Sequence, residues 1–346
     1  MNAEPSAVPR ALRIIVVTDA WHPQQNGVVR VLETLAARLT SRGHDCQFIT
    51  PHGMTTIGCP TYPEIPLAVF PGPTVSRRLA EAGADAIHIA TEGPIGWAAR
   101  NWCQRRRHPF TTAYHTKFPE YFSLRTRLPL SLPYSMMRRF HAPSSAVLVP
   151  SEGIFEELRG WRFANLRQWS HGVDTDVFTP GPKTAFDHLP RPVFLYTGRV
   201  TIEKNLSAFL DLDLPGSKVV MGGGPQREEL IARYPAAHFI IANGDEELAR
   251  YYRAADTFVF PSLTDTFGLV MLEALASGVP VAAFPVAGPQ AVIGDSGAGI
   301  LAADLREAAL AALSISPAVC RARAFEFPWD IVVDQFLDNL DCRPSP

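Results

Sequence analysis

The chain has 346 residues, of which 47% are hydrophobic and 19% are charged, and its formal net charge at pH 7 is −2. This composition is typical of a folded protein of about two domains, and it excludes a disordered chain, a coiled coil and a repeat array. No apolar run reaches the ~20 residues of a membrane-spanning helix, and the N-terminus shows no signal-peptide pattern. The five cysteines are scattered, without a CxxC pair. We therefore expect a reducing, cytoplasmic location without disulfides or a zinc site.

The near-neutral total charge conceals two oppositely charged halves. Residues 1–170 contain 19 Lys and Arg against 12 Asp and Glu, whereas residues 171–346 contain 13 against 22. In the first half every cation except Lys117 is an arginine. Because arginine is well suited to phosphate contacts, this asymmetry indicates that the first half faces an anionic partner.

The first half alternates short apolar runs with amphipathic segments. The run at 12–18 predicts a buried strand, and apolar residues at helical spacing over 28–39 predict a helix that stops at Arg42 and Gly43. Further strands are predicted at 46–50, 86–90, 110–114 and 146–150. This alternation predicts a parallel sheet covered by helices on both faces.

A proline-rich segment at 179–192 predicts a linker, after which the alternation restarts. Strands are predicted at 193–197, 218–221, 238–241, 257–261 and 279–284, and helices near 205–210, 226–233, 246–254 and 268–277. The fold class that follows is α/β, with two doubly wound Rossmann-like domains at 1–180 and 181–325. Ligands of such sheets bind beyond the carboxyl ends of the strands, so we expect the site in a central cleft between the domains.

The segment 260–276, FPSLTDTFGLVMLEALA, is the richest in chemistry-bearing residues. Asp265 can cap the helix that follows, and the free amides at a positive helix end suit an anion. Glu273 lies eight residues further on. Two carboxylates flanking free amides suit a polyhydroxylated, phosphorylated ligand, although an N-cap and a helix-surface glutamate would have the same spacing.

This segment, with the GVPV that follows it, resembles the signature of the retaining GT-B glycosyltransferases called family 4. Their Glu-x7-Glu pattern is present here as Asp265 and Glu273. The resemblance implies that Asp265 lies near the donor sugar, that Glu273 binds the ribose hydroxyls, and that the amides of Phe267, Gly268 and Leu269 approach the donor. Aspartate in the first position is one methylene shorter than the family's glutamate, which would retune the sugar contacts.

Three other segments match the family in the expected order. In GRVTIEKN, Arg199 and Lys204 stand five residues apart after a strand, where two cations can bind a diphosphate without a metal ion. TDAWHPQQNGVV resembles the family's first strand and glycine loop, in which Gly27 lets the backbone approach the leaving phosphate. In YHTKFPEY, the resemblance implies that His115 lies against the donor sugar.

The remaining matches concern the nucleotide side and the end of the chain. MGGGPQREEL resembles the family's GxGP turn and implies that Gly223 and Gly224 line the nucleotide. HGVDTDVF precedes the linker, and its Asp174 and Asp176 are predicted to be structural rather than metal ligands. FPWDIVVDQFLDNL resembles a terminal helix, which implies that residues 326–346 cross back onto the first domain.

The resemblance implies a retaining hexosyltransferase that uses a UDP- or GDP-linked sugar and needs neither a metal ion nor a cofactor. Arg199, Lys204 and helix amides would stabilise the leaving diphosphate, and a departing phosphate oxygen would take the acceptor proton. The chain most resembles bacterial members that glycosylate diacylglycerol-type lipids or related glycolipids, including mannosyl- and glucuronosyl-transferring ones.

The class of acceptor is inferred from two basic segments, at 96–109 and 118–142, in which apolar side chains alternate with arginines. They predict peripheral contact with an anionic membrane, at the inner face of the cell membrane. A sequence pI of about 6.6 and the lack of a nucleic-acid motif disfavour nucleic acid as the partner. The same arginines would also fit a solvated face or a seam against the acidic second domain. A saccharide acceptor, a nucleotide-sugar epimerase and a nucleotide-sugar sensor remain alternative interpretations.

Overall fold

The computed structural model of the chain describes residues 10–24, 26–59 and 62–342. The expectation that the chain has no signal peptide, and the last part of the 326–346 segment, fall on residues outside that description. The strands are β1 Arg13–Val17, β2 Asp45–Ile49, β3 Thr56–Cys59, β4 Tyr62–Ala68, β5 Ala86–Ile89, β6 Thr111–Ala113, β7 Ala146–Val149, β8 Leu166–Gln168, β9 Val193–Thr197, β10 Ser217–Met221, β11 His238–Ile240, β12 Thr257–Phe260, β13 Val281–Ala283 and β14 Gly299–Leu301. The α-helices are α1 Gly27–Ser41, α2 Gly72–Ala82, α3 Pro94–Arg106, α4 Phe118–Thr126, α5 Ser131–His141, α6 Glu152–Gly160, α7 Leu206–Leu210, α8 Arg227–Arg233, α9 Asp245–Ala254, α10 Leu269–Ala276, α11 Ala287–Val292, α12 Leu305–Ala312, α13 Pro317–Ala324 and α14 Trp329–Asn339.

Two six-stranded parallel sheets form the framework. The first has the strand order β2-β1-β5-β6-β7-β8, and the second has the order β11-β10-β9-β12-β13-β14. Strands β1, β5, β7, β9 and β12 are almost wholly buried, as expected for apolar runs covered by helices on both faces. The prediction of two doubly wound α/β units is thereby confirmed.

The two sheets share the same central topology. In the first, β1 pairs with β2 on one side and β5 on the other. In the second, β9 pairs with β10 and β12. The strand order reverses at these central strands, which is where ligands bind in open α/β sheets. The loops that follow β9 and β12 are therefore the first place to look for a site.

Helix α14 belongs to the core of the first sheet, although it follows the second sheet in sequence. Its Trp329, Val332, Val333 and Phe336 are buried in a cluster that includes residues of α1 and β1. The indole N–H of Trp169 donates a 3.1 Å hydrogen bond to the carbonyl of Val332. The last helix therefore crosses back onto the first domain and completes the packing of its core.

No single helix within the described residues is long and apolar enough to cross a bilayer. One bent pair, Leu305–Ala312 with Pro317–Asn339, has the length and composition of a span when taken together, with a 105° angle between its parts.

Candidate active site

The loops after β9 and β12 bring Lys204 and Asp265 together. The Lys204 ammonium donates to Asp265 Oδ1 over 2.5 Å, and the side-chain amide of Asn205 donates to the backbone carbonyl of Pro261 over 3.1 Å. Burial alone would lower the pKa of Lys204, but the Asp265 carboxylate and two nearby tyrosines raise it above its ordinary value. The other carboxylate oxygen, Asp265 Oδ2, is buried without a hydrogen-bond partner. Lys204 and Asp265 thus form a salt bridge in which Asp265 Oδ2 can still accept a hydrogen bond.

Asp265 does not cap the helix, so that prediction is wrong. Helix α10 begins at Leu269, its N-cap is Gly268 at φ +97°, and no side chain bonds the cap. The carboxylate is held by Lys204 instead, and glycine adopts the left-handed backbone at little cost. A Cβ at position 268 would lie 2.5 Å from the Met271 side chain. The amides of Phe267, Gly268 and Leu269 remain at the positive end of α10, as the resemblance requires.

Glu273 is buried, which excludes the interpretation of a helix-surface glutamate. Its residue exposure is 5%. The Tyr252 hydroxyl donates to Glu273 Oε2 over 2.9 Å, and Arg30 Nη1 lies 3.1 Å from Oε1. A buried carboxylate with a hydrogen bond to one oxygen and an ion pair at the other has a fixed orientation.

His115 follows β6 and lies among aromatic rings. Its ring centroid is 5.7 Å from Trp169 and 5.9 Å from His171. Burial, with two neighbouring histidines, lowers the pKa of His115 well below its usual range, so the ring is neutral at pH 7. Its Nε2 is buried without a hydrogen-bond partner. A neutral imidazole with an open nitrogen can exchange a hydrogen bond with a hydroxyl.

The beginning of α1 faces the beginning of α10 across the cleft. A Cβ built on Gly27 would lie 3.7 Å from Leu269 Cδ1. Nearby, the rings of His171 and Phe267 have centroids 5.1 Å apart. Two helix N-termini from different domains therefore converge, which concentrates positive potential where an anion would lie between the sheets.

The glycine turn after β10 lies against the segment that carries Arg199. The amide of Val200 donates to the carbonyl of Gly223 over 2.8 Å, and the Tyr196 hydroxyl donates to the carbonyl of Arg199 over 2.9 Å. A Cβ at Gly224, at φ +153°, would lie 2.4 Å from the Val200 carbonyl oxygen. Gly224 permits this close approach, whereas a Cβ at Gly223 would meet open space.

Helix α4 contributes two residues that the sequence did not mark as site residues. Arg125 Nη2 lies 3.5 Å from Glu203 Oε2, and the Glu203 side chain is 3% exposed. The Tyr121 phenol lies near Lys204 and Asp265, and burial raises its pKa to about 12. Tyr121 stands within the YHTKFPEY motif, but its spacing gives no sign of a partner in the second half of the chain.

The arginines interpreted as one basic surface do not all lie on one surface. Arg100 is buried and donates to the carbonyls of Phe140 and Arg139 over 2.9 and 2.8 Å, so it is structural. Arg125 faces Glu203, which agrees with the alternative of a seam against the acidic domain. The exposed residues 105–107 precede β6, whereas α4 follows it, so the two groups lie at opposite ends of that strand.

Asp174 builds a turn. Its Oδ1 accepts hydrogen bonds from the amides of Asp176 and Val177 over 3.0 and 3.1 Å. Among the residues that the structure describes, no group of three His, Cys, Asp or Glu side chains is arranged to hold a metal ion.

Comparison with known proteins identifies the family. Residues 25–177 match the family model described as Glycosyltransferase Family 4, and residues 191–316 match the model described as Glycosyl transferases group 1. The chain belongs to the family-4 glycosyltransferases. Such an enzyme transfers a sugar, which agrees with the paired loops, buried carboxylates and converging helix ends of the cleft.

Three curated relatives illustrate the range of this glycosyltransferase family. Sulfoquinovosyl transferase SQD2 of Arabidopsis thaliana is 32% identical over 67% of this chain and 48% of its own length. The chain thus matches about half of that relative. A GDP-mannose-dependent alpha-mannosyltransferase of Corynebacterium glutamicum is 29% identical over 84% of this chain and 77% of the relative. Alpha-monoglucosyldiacylglycerol synthase of Streptococcus pneumoniae is 27% identical over 79% and 71%.

Solved structures of glycosyltransferases share the fold. A sucrose-phosphate synthase of Thermosynechococcus elongatus superposes with a TM-score of 0.74 at 21% identity, over 94% of this chain and 98% of its own. Anabaena HepE, in complex with UDP and glucose, superposes with a TM-score of 0.70 at 15% identity, over 94% and 98%. These likenesses confirm the GT-B fold of this glycosyltransferase.

Proposed function

We propose that this glycosyltransferase is a retaining, metal-independent hexosyltransferase that moves a sugar from a UDP- or GDP-linked donor to a lipid, such as diacylglycerol or a glycolipid. The observation that carries the proposal is the pair of buried, unpartnered atoms Asp265 Oδ2 and His115 Nε2. They belong to opposite domains, and Thr266, next to Asp265, bonds the carbonyl of His115. Sugar hydroxyls would satisfy both atoms, which otherwise remain desolvated without a partner.

The reaction breaks the bond between the anomeric carbon and a diphosphate oxygen. Negative charge then develops on the diphosphate, and Lys204, Arg199 and the amides at the start of α10 stabilise it there. The acceptor oxygen attacks the same face of the sugar and its proton passes to the departing phosphate oxygen. The products are the glycoside and the nucleoside diphosphate. This scheme requires no separate base, which suits a His115 that is neutral and hydrogen-bonds to the sugar.

Residues in and around α4 and α5 support a lipid acceptor. Here we define the leucine face as the exposed apolar side chains of this region, Leu124, Leu128, Leu130, Leu132 and Met136, which are 37% to 61% exposed. Leu124 stands on α4, the helix that also reaches Lys204 and Asp265 through Tyr121, and the other four follow in the next loop and in α5. Grouped exposed leucines beside a site indicate contact with an apolar partner. The name of the Streptococcus pneumoniae relative, a glucosyldiacylglycerol synthase, agrees with this acceptor class.

The decisive experiment incubates the protein with UDP-glucose, UDP-glucuronic acid, UDP-galactose or GDP-mannose and with a total lipid extract, and identifies products by mass spectrometry. We expect one donor to yield a glycolipid, and proton NMR to show that the anomeric configuration of the donor is kept. The reaction should proceed in the presence of a chelator. A product formed only on a soluble saccharide would contradict the lipid acceptor, and an inverted anomer would contradict retention.

A further inference from the structure

An ion pair connects the first helix of the N-terminal domain to Glu273, the carboxylate to which the family resemblance assigns the ribose hydroxyls. Arg30 lies on α1, three residues after Gly27. Its Nη1 is 3.1 Å from Glu273 Oε1, and its Nη2 is 3.1 Å from Asp245 Oδ1. The guanidinium also lies 5.8 Å from the ring centroid of Phe178. One arginine of the basic half thus bridges two acids of the other domain.

The two acids differ in their surroundings. The Glu273 side chain is 7% exposed, whereas the Asp245 side chain is 60% exposed. Tyr252 already holds Glu273 Oε2 from within its own domain. Arg30 forms the ion pair with Oε1, and the attraction of Glu273 is the largest cause that raises the pKa of Arg30. The buried contact with Glu273 is therefore the stronger one, because water screens the outer contact with Asp245.

A carboxylate whose two oxygens are each held by one protein partner keeps lone pairs for further donors. Each oxygen can accept about two hydrogen bonds, so a diol can bind Glu273 while Tyr252 and Arg30 remain in place. The hydrogen bond from Tyr252 and the ion pair with Arg30 fix the plane of the carboxylate, which sets the direction of its remaining lone pairs. Orientation of this kind reduces the entropy that is lost when a ligand binds.

We propose that Arg30 is a positioning residue of the nucleoside subsite, which orients Glu273 towards the ribose hydroxyls and so makes nucleotide recognition depend on both domains. The inference rests on the proposed function, because it takes Glu273 as the residue that binds the ribose. Helix α1 then serves both ends of the nucleotide, with Gly27 near the phosphates and Arg30 behind the ribose contact. A residue that merely tied the domains together would not affect recognition of a hydroxyl group.

The test compares nucleotides with and without the ribose 2′-hydroxyl. Calorimetry gives the dissociation constants of UDP, 2′-deoxy-UDP, GDP and 2′-deoxy-GDP for the full chain. For the base that the wild type prefers, we expect the ribonucleotide to bind roughly ten- to a hundredfold more tightly than its deoxy form, as for a hydrogen bond to a charged group. Both Glu273→Gln and Arg30→Gln should bring this ratio close to one, and Arg30→Lys should restore part of it.

Two variants serve as matched controls. Arg38 lies on the same helix and is 35% exposed, against 36% for Arg30, but its contacts with Asp174 and Asp330 are 3.8 and 3.9 Å long. Arg38→Gln removes an equivalent charge and should keep the wild-type ratio. Asp245→Asn removes only the outer partner of Arg30 and should also keep it.

The possible failures are distinguishable. If Glu273→Gln lowers the ratio and Arg30→Gln and Arg30→Lys leave it unchanged, the role of Arg30 is overturned and the proposed donor site stands. If Glu273→Gln leaves the ratio unchanged, or if the wild type binds neither diphosphate, the proposed donor site fails and the inference fails with it. Thermal melting of each variant establishes that the compared proteins are folded.

Discussion

The side chain of Thr266 donates a 2.8 Å hydrogen bond to the backbone carbonyl of His115. The two residues are 151 positions apart, in loops that follow strands of different sheets. Ser151 in turn donates to the carbonyl of Thr266 over 3.2 Å. The loop that carries Asp265 is thereby joined at two points to the N-terminal domain, so these hydrogen bonds connect the two walls of the cleft.

Thr266→Val tests this connection. Valine keeps the shape of threonine but cannot donate, so the contact between the domains weakens by about 1 kcal/mol. We expect a several-fold higher KM for the donor and a small fall in melting temperature, measured by steady-state kinetics and calorimetry. Thr266→Ser restores the hydroxyl and should recover most of the donor affinity. Wild-type kinetics in Thr266→Val would show that the bond has no role in closing the cleft.

Lys204→Ala should reduce transfer by at least 10²- to 10³-fold. The variant loses the cation proposed to stabilise the leaving diphosphate and leaves Asp265 buried without its partner. The measurement is kcat/KM with the preferred donor. Lys183 serves as the control, since its ammonium pairs with Asp256 at 2.8 Å with 46% of its side chain exposed, and Lys183→Ala should transfer normally. Near-normal transfer by Lys204→Ala would refute the site assignment.

Replacing the most exposed residues of the leucine face should release the protein from lipid. Leu124 and Leu132 are 61% and 57% exposed. If each buries its side chain in the interface at about 1 kcal/mol or more, the double serine variant should bind phosphatidylglycerol vesicles at least tenfold more weakly in flotation assays. Leu313→Ser and Phe325→Ser change exposed apolar residues elsewhere and should float like the wild type. Equal flotation of the double variant would exclude this face as the membrane contact.

Acid should destabilise the fold through its buried histidines. Burial lowers the pKa of His88 to about 3 and that of His171 to about 4, whereas both titrate near 6.5 when unfolded. Below pH 6.5 the unfolded state therefore binds more protons, and the free energy of unfolding falls as pH falls, by up to about 1.4 kcal/mol per pH unit for each histidine. Asp19 has the opposite effect between pH 6 and 3.8. Burial raises its pKa to about 6, so the folded state binds the extra proton there and the free energy of unfolding rises as pH falls.

Chemical denaturation at pH 7.5, 6.0 and 5.0 measures this dependence. His88→Leu should lower stability at pH 7.5, since the 2.9 Å hydrogen bond between His88 and Thr111 is lost. It should also weaken the dependence of the free energy of unfolding on pH below pH 6.5, because the variant lacks an imidazole that takes up a proton only when the chain unfolds. An unchanged slope would mean that His88 is protonated in the folded protein.

The sequence predicts the framework well because its strands are continuous apolar runs. Strands and helices are predicted less well where their buried residues form no periodic pattern in the sequence. Strand β8 has a single buried residue, Leu166, and the hairpin of β3 and β4 includes a strand that is largely exposed, so neither shows alternation. Helices α4 and α5 lie in a segment where prolines and aromatics obscure the helical spacing.

The site could be predicted in part, and the missing part has a common cause. Motif spacing points to Lys204, Asp265 and Glu273, and the structure brings the first two into contact. Arg30, Tyr121 and Arg125 were missed because their partners lie in the other half of the chain, and no local pattern encodes such contacts. The assignment of Asp265 as an N-cap was wrong because helix α10 begins only at Leu269, which leaves Asp265 in the preceding loop, where Lys204 holds it.

Helix α14 has a consequence for how the protein is made. The ribosome delivers the first domain early, but Trp329, Val333 and Phe336, which fill part of its core, emerge only after the whole second sheet. Domains usually fold in the order of their synthesis. We therefore expect the first domain to keep an uncovered apolar surface until the second domain has been synthesised, and a nascent chain stalled before residue 329 to bind a chaperone.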